Sequence, residues 1–272
     1  RQEITLSNAA EFITKTKKRI GEKFTPVGVV HGWTPKTMAS AAKELVKMGY
    51  KYIALGGMVP LAAKQIKSAL IAIREVIPSE IKVHILGFAK PDNIKEFSNL
   101  KLNSVDTTSP LLRAFKDKNR NYFLNDNGEI KYYSALRVPQ ALDNNSLKKL
   151  VQSGEIDFED TVKYERAVLK EIRLFGGGGS NISHVTQAML DYMQLMYKDK
   201  SRNSKLNVGN ELVKLSNSCI ETLEARPWEK CGCKICKDIG VEVIIFRGNN
   251  RNRRRGFHNL HIYKKHVTEM TS

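Results

Sequence analysis

The 272-residue sequence predicts an α/β fold: parallel strand–helix units of the TIM-type (β/α) barrel kind, then a helical stretch and a small cysteine-bearing C-terminal subdomain. Three observations carry this reading. Up to residue 106, short apolar runs alternate with amphipathic stretches, one run in roughly every 20–30 residues. Beyond residue 106 the alternation gives way to a hairpin pattern and then to long helical periodicity. Near the end, three of the four cysteines fall between positions 231 and 236.

Ser7 is placed to cap a helix through AAEFITKTKKRI. VGVVH (27–31) has the length and β-branched content of a buried strand. TPKTMASAAKELVKMG (34–49) is an amphipathic helix, with Gly49 at its C-terminal cap. KYIAL (51–55) is a second strand, ending in Gly56–Gly57 and followed by the helix LAAKQIKSALIAIREV. KVHIL (82–86) is a third; PDNIKEF opens a short helix with proline in its first turn, and LNSVD (102–106) is the fourth strand. A closed (β/α)₈ barrel needs eight strands. Four would leave two parallel edges unpaired, so the polypeptide is expected to be the C-terminal half of something larger, or else a small open sheet. The missing initiator methionine fits a fragment or processed product.

NYFLNDNGEIKYY (121–133) reads as two short strands around an Asn127–Gly128 turn. Residues 145–225 are mostly helical, with AMLDYMQLMY as core and FGGGGS (175–180) as a helix–helix joint. The organisation expected is thus 1–140 for the βα units plus hairpin, 141–226 for a helical segment, and 227–272 for the cysteine- and arginine-rich subdomain.

Composition narrows the partners. Hydrophobic residues make up 41% and charged residues 27%, suiting a packed soluble domain. No apolar run approaches the ~20 residues that span a bilayer, and no signal pattern opens the chain. Few cysteines, mostly clustered, argue for a reducing compartment such as the cytoplasm. The net charge of +17 makes polyanions the natural partners, nucleic acid ahead of an anionic membrane.

Cys231, Cys233 and Cys236 form C-x-C-x-x-C, and His258 follows. Three soft thiolates and one imidazole satisfy a tetrahedral zinc, leaving no position for water, so the ion would be structural. His261 and His266 compete for the fourth place, whereas Cys219 reads as a small core residue in a helix. Arg247, Arg251, Arg253, Arg254 and Arg255 fall in a Gly/Asn-rich stretch read as a loop between Cys236 and His258. Arginine suits bidentate phosphate contacts, and a zinc clamp at both ends would limit the ordering cost of binding.

Taken in order, VVHGW, ALGGM, HILGF, SVDTTSP, C-x-C-x-x-C and HN resemble the tRNA-guanine transglycosylases, over roughly residues 25–140 and 228–263. That resemblance implies a zinc-bearing TIM barrel that exchanges guanine in nucleic acid for a 7-deazaguanine. It makes Asp106 the nucleophile, forming a covalent glycosyl-enzyme, and sets Gly56 and Gly57 beside the base. Where the family usually has Gln-Gly-Gly this chain has His31-Gly32-Trp33; His31 and Gly32 are then expected at the base edge. The family's other catalytic aspartate has no counterpart here, since no Asp precedes Asp92; a missing N-terminal half-barrel would have to supply it, and a homodimer is the other assembly considered. Between the last cysteine and the histidine the family generally has helix, whereas VEVIIF here reads as a β-like run ahead of the arginine loop. FRGNNRNRRRGFHN resembles the divergent branch that modifies DNA, using a 7-deazaguanine precursor such as preQ0.

The leading expectation is a base-exchanging transglycosylase acting on DNA, with tRNA next. A non-catalytic, zinc-containing nucleic-acid-binding paralogue is the alternative. A metabolic (β/α) enzyme explains neither the cysteine cluster nor the charge.

Overall fold

A computed structural model describes residues 2–88, 91–203 and 208–271. The chain forms two compact units, Arg1–Ser109 with Val267–Ser272, and Pro110–His266.

In the first unit, helix α1 (Gln2–Arg19) buries Ala9, Ile13 and Thr16. Ser7 lies inside this helix instead of capping it, because Leu6 packs on the core and carries the helix back to Gln2. Strand β1 (Gly28–Val30) leads to α2 (Pro35–Lys47). That helix starts at a reciprocal cap: the Thr37 N–H donates to Thr34 Oγ1, and the Thr34 N–H donates to Thr37 Oγ1. Gly49, at φ +96°, follows its end in a conformation glycine adopts without cost. Then come β2 (Tyr52–Leu55), α3 (Ala63–Arg74), β3 (Lys82–Ile85), 3₁₀ turns over Pro91–Leu100, and β4 (Ser104–Val105).

All four strands pair in parallel, in the order β1-β2-β3-β4. Alternation gives the sheet two unlike faces. Val30, Ile53, Leu55, Val83 and Ile85 are buried in one core with Ala42 and Leu45 of α2 and Leu70 and Ile73 of α3. Each buried Val, Ile or Leu among them contributes about 1.5–3 kcal/mol. On the opposite face one cross-sheet row runs Val29, Ala54, His84, Ser104. Val29 is exposed and His84 and Ser104 half-buried, so this face is only partly covered.

The second unit begins with α4 (Ser109–Lys116) and a hairpin of β5 (Tyr122–Asp126) and β6 (Glu129–Tyr133). Asn127 and Gly128 turn it with φ of +53° and +84°, as a two-residue turn requires. Strand β7 (Leu136–Arg137) pairs in parallel with β8 (Ile245–Phe246). Helices α5 (Asn145–Gln152), α6 (Phe158–Gly176), α7 (Ile182–Asn203) and α8 (Val208–Ala225) fill the interval, and the glycine run joins α6 to α7 as expected. Met189, Tyr192 and Met193 of α7 are core, as is Cys219 of α8, whose thiol burial pushes up to about 12.

Short helices α9 (Pro227–Lys230) and α10 (Lys234–Ile239) precede the long α11 (Gly248–Thr271). Two local expectations are corrected here. VEVIIF is mostly a 3₁₀ segment, Gly240–Ile244, with only Ile245–Phe246 as strand. The arginine stretch from Gly248 onward is helix, not loop. Asn252, Arg255, His258, Asn259 and Ile262 recur at helical spacing and are all buried, and that one-sided packing outweighs the loop signal of Gly and Asn.

Candidate metal centre and active site

The second unit brings together the cysteine cluster. Cys231 follows α9, Cys233 is the N-cap of α10, Cys236 lies within α10, and His258 lies on α11. All four are buried, and their ligand atoms lie within 4.8 Å of one another. His258 Nδ1 is 3.8, 3.3 and 3.4 Å from the Sγ atoms of Cys231, Cys233 and Cys236. A tetrahedral zinc with ordinary bond lengths sets sulfur and nitrogen about 3.6 Å apart. The four residues therefore form a zinc site with no place for a fifth ligand, and the ion it suits is structural. His261 is exposed, and neither it nor His266 belongs to the set.

Several neighbours of the site gave no signal in the sequence. His258 Nε2 donates to the Phe123 carbonyl at 2.8 Å, which leaves Nδ1 as the free lone pair. The Tyr122 ring stacks on the imidazole, centroids 4.2 Å apart, and its hydroxyl lies 3.2 Å from Cys236 Sγ. Asn259 Oδ1 accepts the Phe123 N–H at 3.0 Å, and its Nδ2 donates to the Asn121 and Pro110 carbonyls. The His-Asn pair thus fastens α11 to the hairpin strand. In the alternative protonation state, with His258 charged and Nδ1 also carrying a proton, hydrogen bonds from Cys236 first and His258 next hold the Cys231 thiol down to about 3.

The five arginines divide sharply. Arg255 is wholly buried; its guanidinium donates to the carbonyls of Val243, Ile245 and Ala114 and to Asn252 Oδ1. Such a side chain cannot reach a phosphate, because it is wholly buried and both its terminal nitrogens already donate to buried acceptors. Arg247 is ion-paired with Glu165 and Arg251 with Glu242. Arg253 and Arg254 are exposed on α11.

In the first unit, the remaining sequence candidates gather at one end of the parallel sheet, where the strands reach their C-termini. His31, Gly32 and Trp33 follow β1, Gly56 and Gly57 follow β2, and Asp106 follows β4. The His31 and Trp33 rings stack with centroids 6.5 Å apart, and Trp33 is 76% exposed. Gly32 has a packing reason to be glycine: a Cβ there would meet Met38 N at 2.7 Å. At Gly57, φ is +76° and an added Cβ would meet nothing. Asp106 Oδ1 accepts the Gly87 N–H at 2.8 Å and faces His84 Nε2 at 3.1 Å. The carboxylate itself is 60% exposed. His84 Nδ1 lies 2.6 Å from Ser104 Oγ, which is in turn hydrogen-bonded to the Tyr52 hydroxyl. His84 could have been noticed as the one polar residue in the apolar run of KVHIL after Lys82.

No protein-family model matches the chain. It is similar to a DNA-guanine transglycosylase of Salmonella montevideo, 39% identical over 262 residues. The match takes in 96% of this chain but 59% of that protein, so the chain spans less than two thirds of its relative's length. Among the described residues, no helix is long and apolar enough to cross a membrane.

Proposed function

We propose that this chain is part of a guanine transglycosylase of the tRNA-guanine transglycosylase family, acting on DNA before tRNA. It would replace guanine with a 7-deazaguanine through a covalent aspartyl-glycosyl intermediate. The observation that carries this reading is the Asp106 carboxylate, at the C-terminal mouth of a parallel strand, with Oδ1 held and no donor on Oδ2 among the described residues. Catalytic groups of parallel (β/α) folds sit at that end of the sheet. The similarity to a DNA-guanine transglycosylase over nearly the whole chain supports DNA as the substrate.

In this mechanism Asp106 Oδ2 bonds to the sugar anomeric carbon as the glycosidic bond breaks. Guanine leaves with the electron pair and takes a proton from water. The incoming base then attacks the same carbon through its ring nitrogen, gives up the equivalent proton and releases the carboxylate. His31, Gly32, Gly56 and Gly57 stand at the same sheet end and are assigned to the base. The target base must leave its stack to reach them. Arg253 and Arg254 are the arginines left to grip phosphate, and the zinc site holds α11 and the hairpin in place.

The four βα units would belong to a TIM-type barrel whose other strands lie outside these residues or in a second copy. The sequential strand order, and helices packed on one face while the row of His84 stays half-open, favour that over a doubly wound sheet.

The test supplies preQ0 to the full-length protein carrying these residues and follows release of labelled guanine from duplex DNA and from tRNA. Asp106→Ala should lose at least about 1,000-fold in rate and form no protein–nucleic acid adduct. Exchange as fast as the parent in that variant overturns the mechanism. The absence of any Asp before Asp92 favours a second reading, a binding paralogue without catalysis. Salt-sensitive DNA binding without exchange or adduct in the full-length protein would select it.

A further inference from the structure

We infer that His84 is the positioning residue for Asp106, and that Ser104 and Tyr52 set its tautomer. The inference rests on the assignment of Asp106 as nucleophile. A carboxylate only accepts hydrogen bonds, so in the neutral imidazole Nε2 carries the proton and donates to Asp106 Oδ1. Nδ1 is then a lone pair, and the Ser104 hydroxyl donates to it. Ser104 Oγ is left to accept from Tyr52. Every donor in the series points the same way, from Tyr52 through Ser104 and His84 to the acid.

The sheet builds this series. His84 and Ser104 are register partners on β3 and β4, and Tyr52 lies on β2, so three neighbouring strands fix the ring. The Gly87 N–H, where β3 ends, supplies the second donor to the same oxygen. Oδ1 therefore has two donors, and among the described residues no donor meets Oδ2. Two consequences follow for the proposed reaction. The carboxylate cannot swing, and Oδ2 is the oxygen presented to the sugar carbon. In the glycosyl-enzyme Oδ1 becomes the ester carbonyl, where the same donors favour return of the carboxylate as leaving group. Nothing is transferred along the series; it orients.

The experiment uses the full-length enzyme and steady-state exchange on DNA, with Tm and zinc content measured alongside. His84→Ala should lower kcat about 100-fold while the KM for DNA changes less than about 3-fold, the signature of a misplaced reacting group. His84→Gln, which keeps a donor within reach of Oδ1, should recover most of the loss. Ser104→Ala and Tyr52→Phe should each cost about 3- to 10-fold in kcat at parental Tm. An unchanged kcat in His84→Ala, or equal loss in the Ala and Gln variants, overturns the inference. If His84→Ala does not fold, Ser104→Ala decides: a parental kcat overturns the inference and a reduced one at parental Tm supports it. Should Asp106→Ala retain full exchange, the reading of Asp106 falls instead, whatever His84 does.

Discussion

His258 and Phe123 are joined by a 2.8 Å hydrogen bond from the imidazole Nε2 to a hairpin carbonyl. That one bond fixes which nitrogen faces the three cysteine sulfurs, and in the neutral imidazole it leaves Nδ1 with the lone pair a metal needs. The neighbouring Asn259 repeats the attachment with two more hydrogen bonds, to Phe123 and Asn121, and adds a third to the Pro110 carbonyl of α4. The metal centre and the hairpin therefore stand or fall together.

One zinc per chain is expected by mass spectrometry, and Cys233→Ala or His258→Ala should abolish it. Losing about 3–5 kcal/mol of metal-linked stability corresponds to a Tm fall of about 10 °C or more. The pH dependence has a definite sign. Cys231 has its pKa lowered in the folded, metal-free chain, to about 3. Its thiolate adds stability fully above about pH 9, the ordinary cysteine range, and loses it as pH falls towards 3. Zinc binding also requires unprotonated ligands, so acid should release zinc and lower Tm together, as dye-reported metal release during an acid titration would show.

Arg255 should behave as a stability residue. Arg255→Ala strands three carbonyls and an amide oxygen in a buried site, a loss of about 3–5 kcal/mol. Arg255→Lys keeps the charge but not the fork, and should recover only part of it. Urea unfolding measures both; a midpoint unchanged in Arg255→Ala would contradict the buried network.

Arg253 and Arg254 should show the reverse. Both are exposed, so the double alanine variant should stay within about 0.5 kcal/mol of parental stability. If they meet phosphates, DNA affinity should fall and the slope of log K against log salt should shrink by about 2, near 0.9 for each lost contact. A slope equal to the parent's removes them from the nucleic-acid interface.

Much of this was legible in the sequence because it rests on local chemistry. The four parallel strands, the helix over 34–49, the Asn127–Gly128 turn and the C-x-C-x-x-C run each declare themselves within a few residues. What stayed hidden depends on partners far along the chain. The burial of Arg255 depends on carbonyls at Ala114 and Val243, and the helix it sits in forms because its inner face packs. Nothing near His84 names Ser104 or Asp106 as its partners; only the parallel register aligns them. Tyr122 and Phe123 read as ordinary hairpin residues until α11 is laid against them.

The two glycines at strand ends separate packing from function. At Gly32 the obstacle is backbone, Met38 N at 2.7 Å from an added Cβ, so Gly32→Ala must displace the start of α2. It should cost about 2 kcal/mol, seen as a lower urea midpoint. Gly57→Ala meets no protein atom and bears only the left-handed φ of +76°, about 1 kcal/mol. If the space above Gly57 belongs to the base, that methyl intrudes on it, and the KM for the incoming 7-deazaguanine should rise at least about 10-fold with little loss of stability. An unchanged KM in Gly57→Ala would place the base elsewhere, leaving the glycine as a turn residue between β2 and α3.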